Sequence, residues 1–142
     1  MLQGIAPHLL NPPVNVLRLS LHPEGLAPRI VNLAEWRAHL LTRLRRQVEV
    51  SADQTLATLL AELTEYPSPA QSVHAEMSHS GVIVPVQIAT PAGVLSFIST
   101  TTVFGTPVDI TLAELALETF FPADAATAAV LRALADARAS AT

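Results

Sequence analysis

Two histidines that flank an acidic residue are the first candidates for chemistry, because imidazole and carboxylate groups are common metal ligands. His74 and His79 stand on either side of Glu76. Their spacing does not place both imidazoles on one face of a helix, and no fuller ligand set accompanies them in the sequence. We therefore predict a polar loop at this point and no metal site.

Hydroxyl side chains are concentrated at Ser96, Ser99 and the threonines at 100–102. The sequence contains no Gly-x-Ser-x-Gly turn of the kind that presents a nucleophilic serine. It also contains no cysteine, which excludes a thiol nucleophile, a disulfide framework and a cysteine-based zinc site. Hydroxyl groups at strand positions are usually structural, so we predict that the chain is not an enzyme and carries no cofactor.

Three arginines, Arg43, Arg45 and Arg46, lie near the end of a helix that the sequence predicts over about residues 32–49. Positive charge at that end of a helix complements the helix dipole. Three guanidinium groups close together are also typical of a phosphate-binding or partner-docking site. The five glycines are isolated from one another, so the sequence offers no glycine-rich loop for a nucleotide.

Length and composition predict one globular domain over residues 1–142, with half of the residues hydrophobic and 14% charged. The formal net charge is −4. Because affinity for nucleic acid depends on basic residues, we expect no direct nucleic-acid binding by this chain. The sequence lacks an apolar run of membrane-spanning length and a signal peptide, which predicts a cytoplasmic location without membrane contact.

Helical periodicity is clearest after Asn32, which with Glu35 has the form of a capping box. This helix should extend to about Glu49, and Ser51 with Gln54 repeats the capping pattern for a second helix that packs beside it. The apolar stripe of the first helix consists of Leu33, Trp36, Leu40, Leu44 and Val48.

The pattern changes to alternation from Val82 to Ile88, and a second strand follows from Val94 to about Phe104. A proline and a glycine between them favour a tight turn, so the two strands should form an antiparallel hairpin. Two segments are ambiguous. Residues 14–21 alternate like a strand, and residues 109–121 contain a capping-box form that favours a helix. Asp124 is the expected cap of a last, alanine-rich helix.

The blocks at residues 15–41 and 95–107, together with the apolar, His-Pro, Asn-Leu and Trp spacing around them, resemble the C-terminal ligand-binding domain of MmyB-like transcription regulators. In that family an XRE-type helix-turn-helix domain precedes a PAS-like sensor domain. The resemblance covers about residues 4–137. It implies an α+β, PAS-like fold with a small antiparallel sheet packed with helices. It also implies a helix at 14–21 capped by Asn15, and a strand at 115–121. We expect an N-terminally truncated sensor that lacks the DNA-binding half.

The resemblance further implies an apolar pocket for a small, fatty-acyl-like ligand, which suits a transcription regulator that responds to a small molecule. Most aromatic residues, Phe120 and Phe121 included, are expected in the core. An alternative is a protein-interaction or dimerisation module without a ligand, which pairs with a second copy or with a full-length regulator. The predicted pocket residues are Trp36, Leu40, Phe97, Ser99 and Phe104.

Overall fold

A helical first half is followed by an antiparallel sheet and a final helix. The computed structural model describes residues 4–67, 84–104 and 115–140. The elements in chain order are the 3-10 helix Pro7–Leu10, α1 (Val16–Leu21), the 3-10 helix Ala27–Arg29, α2 (Leu33–Ser51), α3 (Gln54–Glu65), β1 (Val86–Thr90), β2 (Gly93–Phe104), β3 (Leu115–Pro122) and α4 (Ala125–Ala139). This arrangement confirms the predicted α+β class with a small antiparallel sheet packed with helices.

The alternating segment before His22 forms helix α1, as the family resemblance implies, and the strand interpretation is wrong. Asn15 caps this helix, because its Oδ1 accepts a hydrogen bond from the backbone N–H of Arg18 at 3.0 Å. The helix buries Ser20 and Leu21. A turn follows directly, in which the Gly25 N–H donates to the His22 carbonyl at 2.9 Å.

Asn32 stands at the N-cap of α2, but the predicted capping box is wrong because its side chain caps no amide of the helix. The Asn32 amide donates to Glu35 Oε2 at 3.1 Å and to the Pro85 carbonyl at 2.8 Å. Its Oδ1 accepts from the Gln87 N–H at 3.0 Å. This one side chain therefore joins the start of α2 to the backbone at the start of β1.

The end of α2 also differs from the prediction. Ser51 is the last residue of α2, and Ala52 after it adopts a left-handed conformation with φ of 53°. The cap of α3 is Asp53 instead of Ser51, since the Asp53 carboxylate accepts from the backbone N–H of Thr55 at 2.6 Å. As predicted, α2 and α3 pack as neighbours.

Charged side chains tie the three helices together. The Arg18 guanidinium donates to both carboxylate oxygens of Glu62, with distances of 2.8 Å from Nε and 2.7 Å from Nη2. The Tyr66 hydroxyl donates to the same carboxylate. On the other side, Arg37 of α2 donates to the Thr64 carbonyl at 2.7 Å. The Glu62 carboxylate therefore connects α3 to α1, and the carbonyl groups at the C-terminal end of α3 connect it to α2.

The three strands lie in the order β1-β2-β3, and both pairings are antiparallel. The predicted antiparallel hairpin of β1 and β2 is confirmed, with a turn at Pro91 and Ala92. The predicted bounds of its first strand are wrong, because Val84 lies outside β1 and the strand continues past Ile88 to Thr90. Gly93 closes this turn with φ of 113°, which glycine adopts at little cost. Residues 115–121 belong to β3, as the resemblance implies, so the helical interpretation of that part is wrong.

Helix α4 lies beside β2 beyond the point where β3 ends. Asp124 caps it as predicted, accepting from the Thr127 N–H at 2.7 Å. The buried Thr127 hydroxyl accepts from the Ser96 N–H at 3.0 Å, and the Ser96 carbonyl accepts from the Ala123 N–H at 2.8 Å. The segment that follows β3 therefore supplies hydrogen-bond partners to the backbone N–H and carbonyl of Ser96, as a neighbouring strand would.

The core lies between the helical layer and one face of the sheet. Phe120 and Phe121 do not belong to it, because their side chains are 46% and 51% exposed, so the expectation of burial for this pair is wrong. Their strand β3 has a single neighbour within the described sheet. The buried cluster consists of Leu21, Ile30, Trp36, Leu40, Leu41, Leu44, Leu59, Leu63, Val86, Leu95 and Phe97.

Candidate functional site

An apolar cleft of about 310 Å³ lies between α1, the first half of α2 and one face of the sheet. Ligand pockets of proteins are usually concave and apolar, with few polar groups, and begin at about this size. The lining residues are Val16, Leu17, Leu19, Ser20, Leu26, Ile30, Trp36, Leu40, Val86, Ile88, Phe97, Glu118 and Phe120. All but two of these have apolar side chains, so the cleft suits an apolar ligand.

Strand register explains why one face of the sheet supplies the floor of the cleft. Val86 of β1 lies opposite Phe97 of β2, and Ser99 lies opposite Phe120 of β3. Side chains directly opposite each other share a face, and so do residues two apart on one strand. The aromatic rings of Phe97 and Phe120 therefore lie on the same face of the sheet, the face that borders the cleft.

Trp36 is the central residue of the wall that α2 contributes. It is the single tryptophan of the chain and its side chain is only 4% exposed. Its indole Nε1–H donates to Ser20 Oγ at 2.9 Å. Because this bond pairs the one polar atom of the indole with a polar lining residue, α1 and α2 together present a hydrocarbon surface to the cleft.

His39 supports this wall from behind. Its imidazole stacks on the Trp36 indole with ring centroids 5.7 Å apart and an angle of 25° between planes. Burial lowers the pKa of His39, and the nearby Arg43 charge lowers it further, while Glu35 opposes the change. The imidazole is therefore neutral at physiological pH and packs on the indole as an uncharged aromatic ring.

Three of the five predicted pocket residues come together in the cleft. Trp36 and Leu40 line it from α2, and Phe97 lines it from the sheet. Ser99 is half-buried beside Phe120 in the pairing of β2 with β3, but it is not among the described lining residues. Phe104 ends β2, and its side chain lies outside the described part of the chain. The role of all five in binding a ligand stays a prediction.

Sequence reasoning missed the contribution of α1, which supplies Val16, Leu17, Leu19 and Ser20. Val16, Leu19 and Ser20 have the i, i+3, i+4 spacing of one helical face. That signal is visible only after the segment is interpreted as a helix, because the strand interpretation places Val16 and Leu19 on opposite faces.

Glu118 and Phe120 on β3 are the other lining residues that the sequence did not indicate. Both side chains are exposed and they are two residues apart, so they reach the cleft from the same face of the strand. Glu118 is the only charged residue in the described lining. The cleft therefore combines hydrocarbon walls with a negative charge at its solvent side.

A second, wider cavity of about 770 Å³ lies between the β1–β2 turn and α4. Leu26 and Ile88 line both cavities, so a thin apolar partition separates them. Val130 and Leu134 of α4 form the outer wall, and Arg29 gives this cavity a cationic group.

The other candidates for chemistry do not converge on the cleft. The Ser96 backbone N–H donates to the Thr127 hydroxyl of α4, and the Ser96 side chain lies on the opposite face of β2 from Phe97. The arginines Arg43, Arg45 and Arg46 are exposed, and the last turn of α2 contains no basic residue. Their interpretation as a complement to the helix dipole is therefore wrong. The cluster of His74, Glu76 and His79 lies outside the described residues.

The cleft and fold agree with what the sequence comparison finds. The sequence pattern of the MmyB-like transcription regulator ligand-binding domain matches residues 1–134. The chain belongs to this family. A family of ligand-binding domains supports a ligand-sensing role in regulation rather than an enzymatic one.

Neither the curated proteins nor the solved structures include a significant match to the chain. Among the helices in the described ranges, none has an apolar stretch long enough to cross a bilayer.

Proposed function

We propose that the domain binds an apolar, acyl-like small molecule in the cleft between α1, α2 and the sheet. It acts in the cytoplasm and passes the binding event to transcription through a DNA-binding domain. The observation that carries this proposal is the almost wholly apolar lining around Trp36, in a chain of the MmyB-like ligand-binding family. An apolar lining favours a ligand that gains free energy by leaving water.

The volume of the cleft limits the size of the bound part of the ligand. A water molecule takes up about 30 Å³ of liquid, so the cleft of about 310 Å³ holds roughly ten heavy atoms. A hydrocarbon chain of about ten carbons fits this volume. A longer chain would have to extend past Leu26 and Ile88 into the neighbouring cavity.

The charge at the cleft favours a neutral head group. Glu118 is exposed and borders the cleft, and within its described lining no cationic side chain offsets the negative charge. A carboxylate head group would be repelled by Glu118, whereas an alcohol, ester or amide would not. We expect 1-decanol to bind several-fold more tightly than decanoate.

Binding acts as a signal only if the ligand favours one conformation of the domain over another. Helix α1 has six residues and supplies four residues of the lining. So short a helix is stable only through its tertiary contacts. We propose that an occupied cleft orders α1 around Trp36 and thereby changes the surface that docks on a partner.

The first experiment is native mass spectrometry of the purified protein, followed by denaturing extraction. We expect a retained neutral acyl-type mass in a stoichiometric complex. Titration with 1-decanol should then change the fluorescence of Trp36, the only tryptophan, which lines the cleft. A ligand-free protein whose Trp36 emission does not respond to 1-decanol would contradict the proposal.

A pair of variants localises the binding. Val16 is 54% exposed and lines the cleft, whereas Val14 is 42% exposed and is not among its described lining residues. We expect Val16→Phe to fill part of the cleft and weaken 1-decanol binding by about tenfold, which corresponds to about 1.4 kcal/mol. Val14→Phe adds the same bulk next to the helix and should bind like the wild type. Equal affinity in both variants would place the ligand elsewhere.

A second candidate function is a protein-interaction module, and the exposed pair Phe120 and Phe121 favours it. Exposed aromatic residues are enriched at protein interfaces, and these two lie on opposite faces of β3. The partner would be a second copy or a full-length regulator. Sedimentation velocity decides between the two functions. A concentration-dependent dimer that Phe121→Ser abolishes, without any 1-decanol binding, favours the interaction module.

A further inference from the structure

Three potential metal ligands meet at the C-terminal end of α1. His8 comes from the first 3-10 helix, His22 follows the last residue of α1, and Glu24 lies in the turn after it. One ligand atom from each side chain lies within 4.8 Å of the other two. The cluster is separate from the apolar cleft, because the described cleft lining includes none of the three.

The backbone around the cluster is fixed by hydrogen bonds. The Ala6 N–H donates to the Glu24 carbonyl at 3.0 Å, which holds the 3-10 helix against the turn. The Leu26 N–H donates to the Leu19 carbonyl at 2.8 Å. Gly25 lies so close to α1 that an added Cβ would be 2.3 Å from the Leu19 carbonyl oxygen. The three ligand positions are thus held together before any ion binds.

The His22 side chain is positioned by contacts with its neighbours. Its ring packs edge-on against Tyr66 at 5.1 Å and against His8 at 5.6 Å, measured between ring centroids. Its Nδ1 accepts from the backbone N–H of Glu24 at 3.1 Å. The lone pair of Nδ1 is therefore directed at the turn, and an ion that binds through Nδ1 displaces this one exposed hydrogen bond.

We propose that His8, His22 and Glu24 form a binding site for a divalent transition metal ion of the zinc type. Two imidazoles and a carboxylate suit zinc and its neighbours, whereas magnesium and calcium take oxygen ligands. Bond lengths of about 2.0–2.1 Å place tetrahedral ligands about 3.3 Å apart. His8 and Glu24 are exposed and His22 is half-buried, so rotation of the two outer side chains can close the remaining distance.

Three protein ligands leave a coordination position for water. The ion would connect the first 3-10 helix to the end of α1, the helix that supplies one wall of the apolar cleft. It would thus fasten the N-terminal segment to the ligand-binding part of the domain. The proposal does not depend on the nature of the ligand in that cleft, and either can fail alone.

Isothermal titration calorimetry of the full, untagged chain tests the site after treatment with a chelator. On titration with ZnCl₂ we expect each chain to bind one zinc ion with high affinity. Titration with MgCl₂ should give no saturable heat of binding. His8→Asn, His22→Asn and Glu24→Gln should each weaken zinc binding by at least about tenfold, since even outer-sphere partners of a metal contribute that much. Absence of saturable zinc binding to the wild type would overturn the proposal.

Two controls distinguish this site from other histidines and from unfolding. His39→Asn removes the histidine that stacks on Trp36 and should leave zinc binding unchanged. The double variant His74→Asn/His79→Asn tests the other histidine pair and should also bind like the wild type. Loss of binding in either control, or wild-type affinity in His8→Asn, contradicts the assignment. His8 is exposed, so its substitution should leave the far-ultraviolet circular dichroism unchanged even if His22→Asn perturbs the contact with Tyr66.

Discussion

Ser20→Ala tests whether the cleft around Trp36 is dry. The substitution removes the hydroxyl that accepts the hydrogen bond of 2.9 Å from the Trp36 indole. Ser20 and Trp36 are 8% and 4% exposed, so the orphaned N–H has little access to bulk water. A buried donor without a partner costs about 1–3 kcal/mol. We expect Ser20→Ala to lower the free energy of unfolding by about 1–2 kcal/mol, because the removed hydroxyl also no longer needs to be desolvated.

A double-mutant cycle assigns this cost to the hydrogen bond. Trp36→Phe removes the indole N–H, so Ser20→Ala in that background should change the free energy of unfolding by less than about 0.5 kcal/mol. The coupling between the two sites is then about 1–2 kcal/mol. Urea denaturation followed by circular dichroism measures all four proteins, since the fluorescence reporter is absent from two of them. With a slope of about 2 kcal/mol per molar urea, the midpoint of Ser20→Ala falls by about 0.5–1 M.

The same cycle can refute the description of the cleft as apolar. Equal effects of Ser20→Ala in both backgrounds would mean that the bond contributes nothing. A destabilisation below about 0.3 kcal/mol in the wild-type background would mean that water in the cleft satisfies the indole N–H. A wetted cleft would remove the main support for an acyl-like ligand.

Three further substitutions test particular contacts. Ala52→Gly should raise the free energy of unfolding by about 0.5–1 kcal/mol, measured by urea denaturation, because Ala52 has φ of 53° and glycine adopts that conformation without strain. Asn32→Ala should lower it by about 1–3 kcal/mol, since it leaves the Gln87 N–H and the Pro85 carbonyl without the Asn32 side chain as partner. The Arg18 guanidinium lowers the pKa of Glu62, so this carboxylate stabilises the fold above the unfolded pKa of about 4.3 and loses that effect as the pH falls through its lower folded value. Glu62→Gln should therefore reduce stability at pH 7 by about 0.5–1 kcal/mol and flatten the acid limb of a melting-temperature profile, whereas an unchanged acid limb would show that the pair is not formed.

Local pattern and the family resemblance together predicted the elements better than they predicted the partners of individual side chains. Asp124 was predicted as a cap from the local sequence, and Asn15 was implied as a cap by the family resemblance. Both cap their helices, and the amides they satisfy are only three residues away. Asn32 had the same local signature. Its partners at Pro85 and Gln87 are more than fifty residues away, and no local rule includes them.

The candidate site shows the same division. The apolar stripe of α2 predicts that Trp36 and Leu40 lie on one face, and alternation predicts that Phe97 faces inward. Both follow from the period of a single element. Which elements then meet depends on packing, so the sequence did not indicate that α1 covers Phe97 or that Phe120 closes the cleft from β3. Ser20 is hydrogen-bonded to a residue sixteen positions away, and its hydroxyl in a leucine-rich segment gave no signal of that role.

The contacts of residues 30–32 have a consequence for the solution behaviour of the protein. Ile30 forms a bridge with Ile88, the Val31 N–H donates to the Gln87 carbonyl at 2.8 Å, and the Asn32 side chain accepts from the Gln87 N–H. A free strand edge is a template on which other chains can add strands and aggregate. Residues 30–32 occupy that edge of β1, and they therefore prevent another chain from adding a strand there. A variant in which this segment detaches should therefore lose solubility on storage at concentrations where the folded protein stays clear.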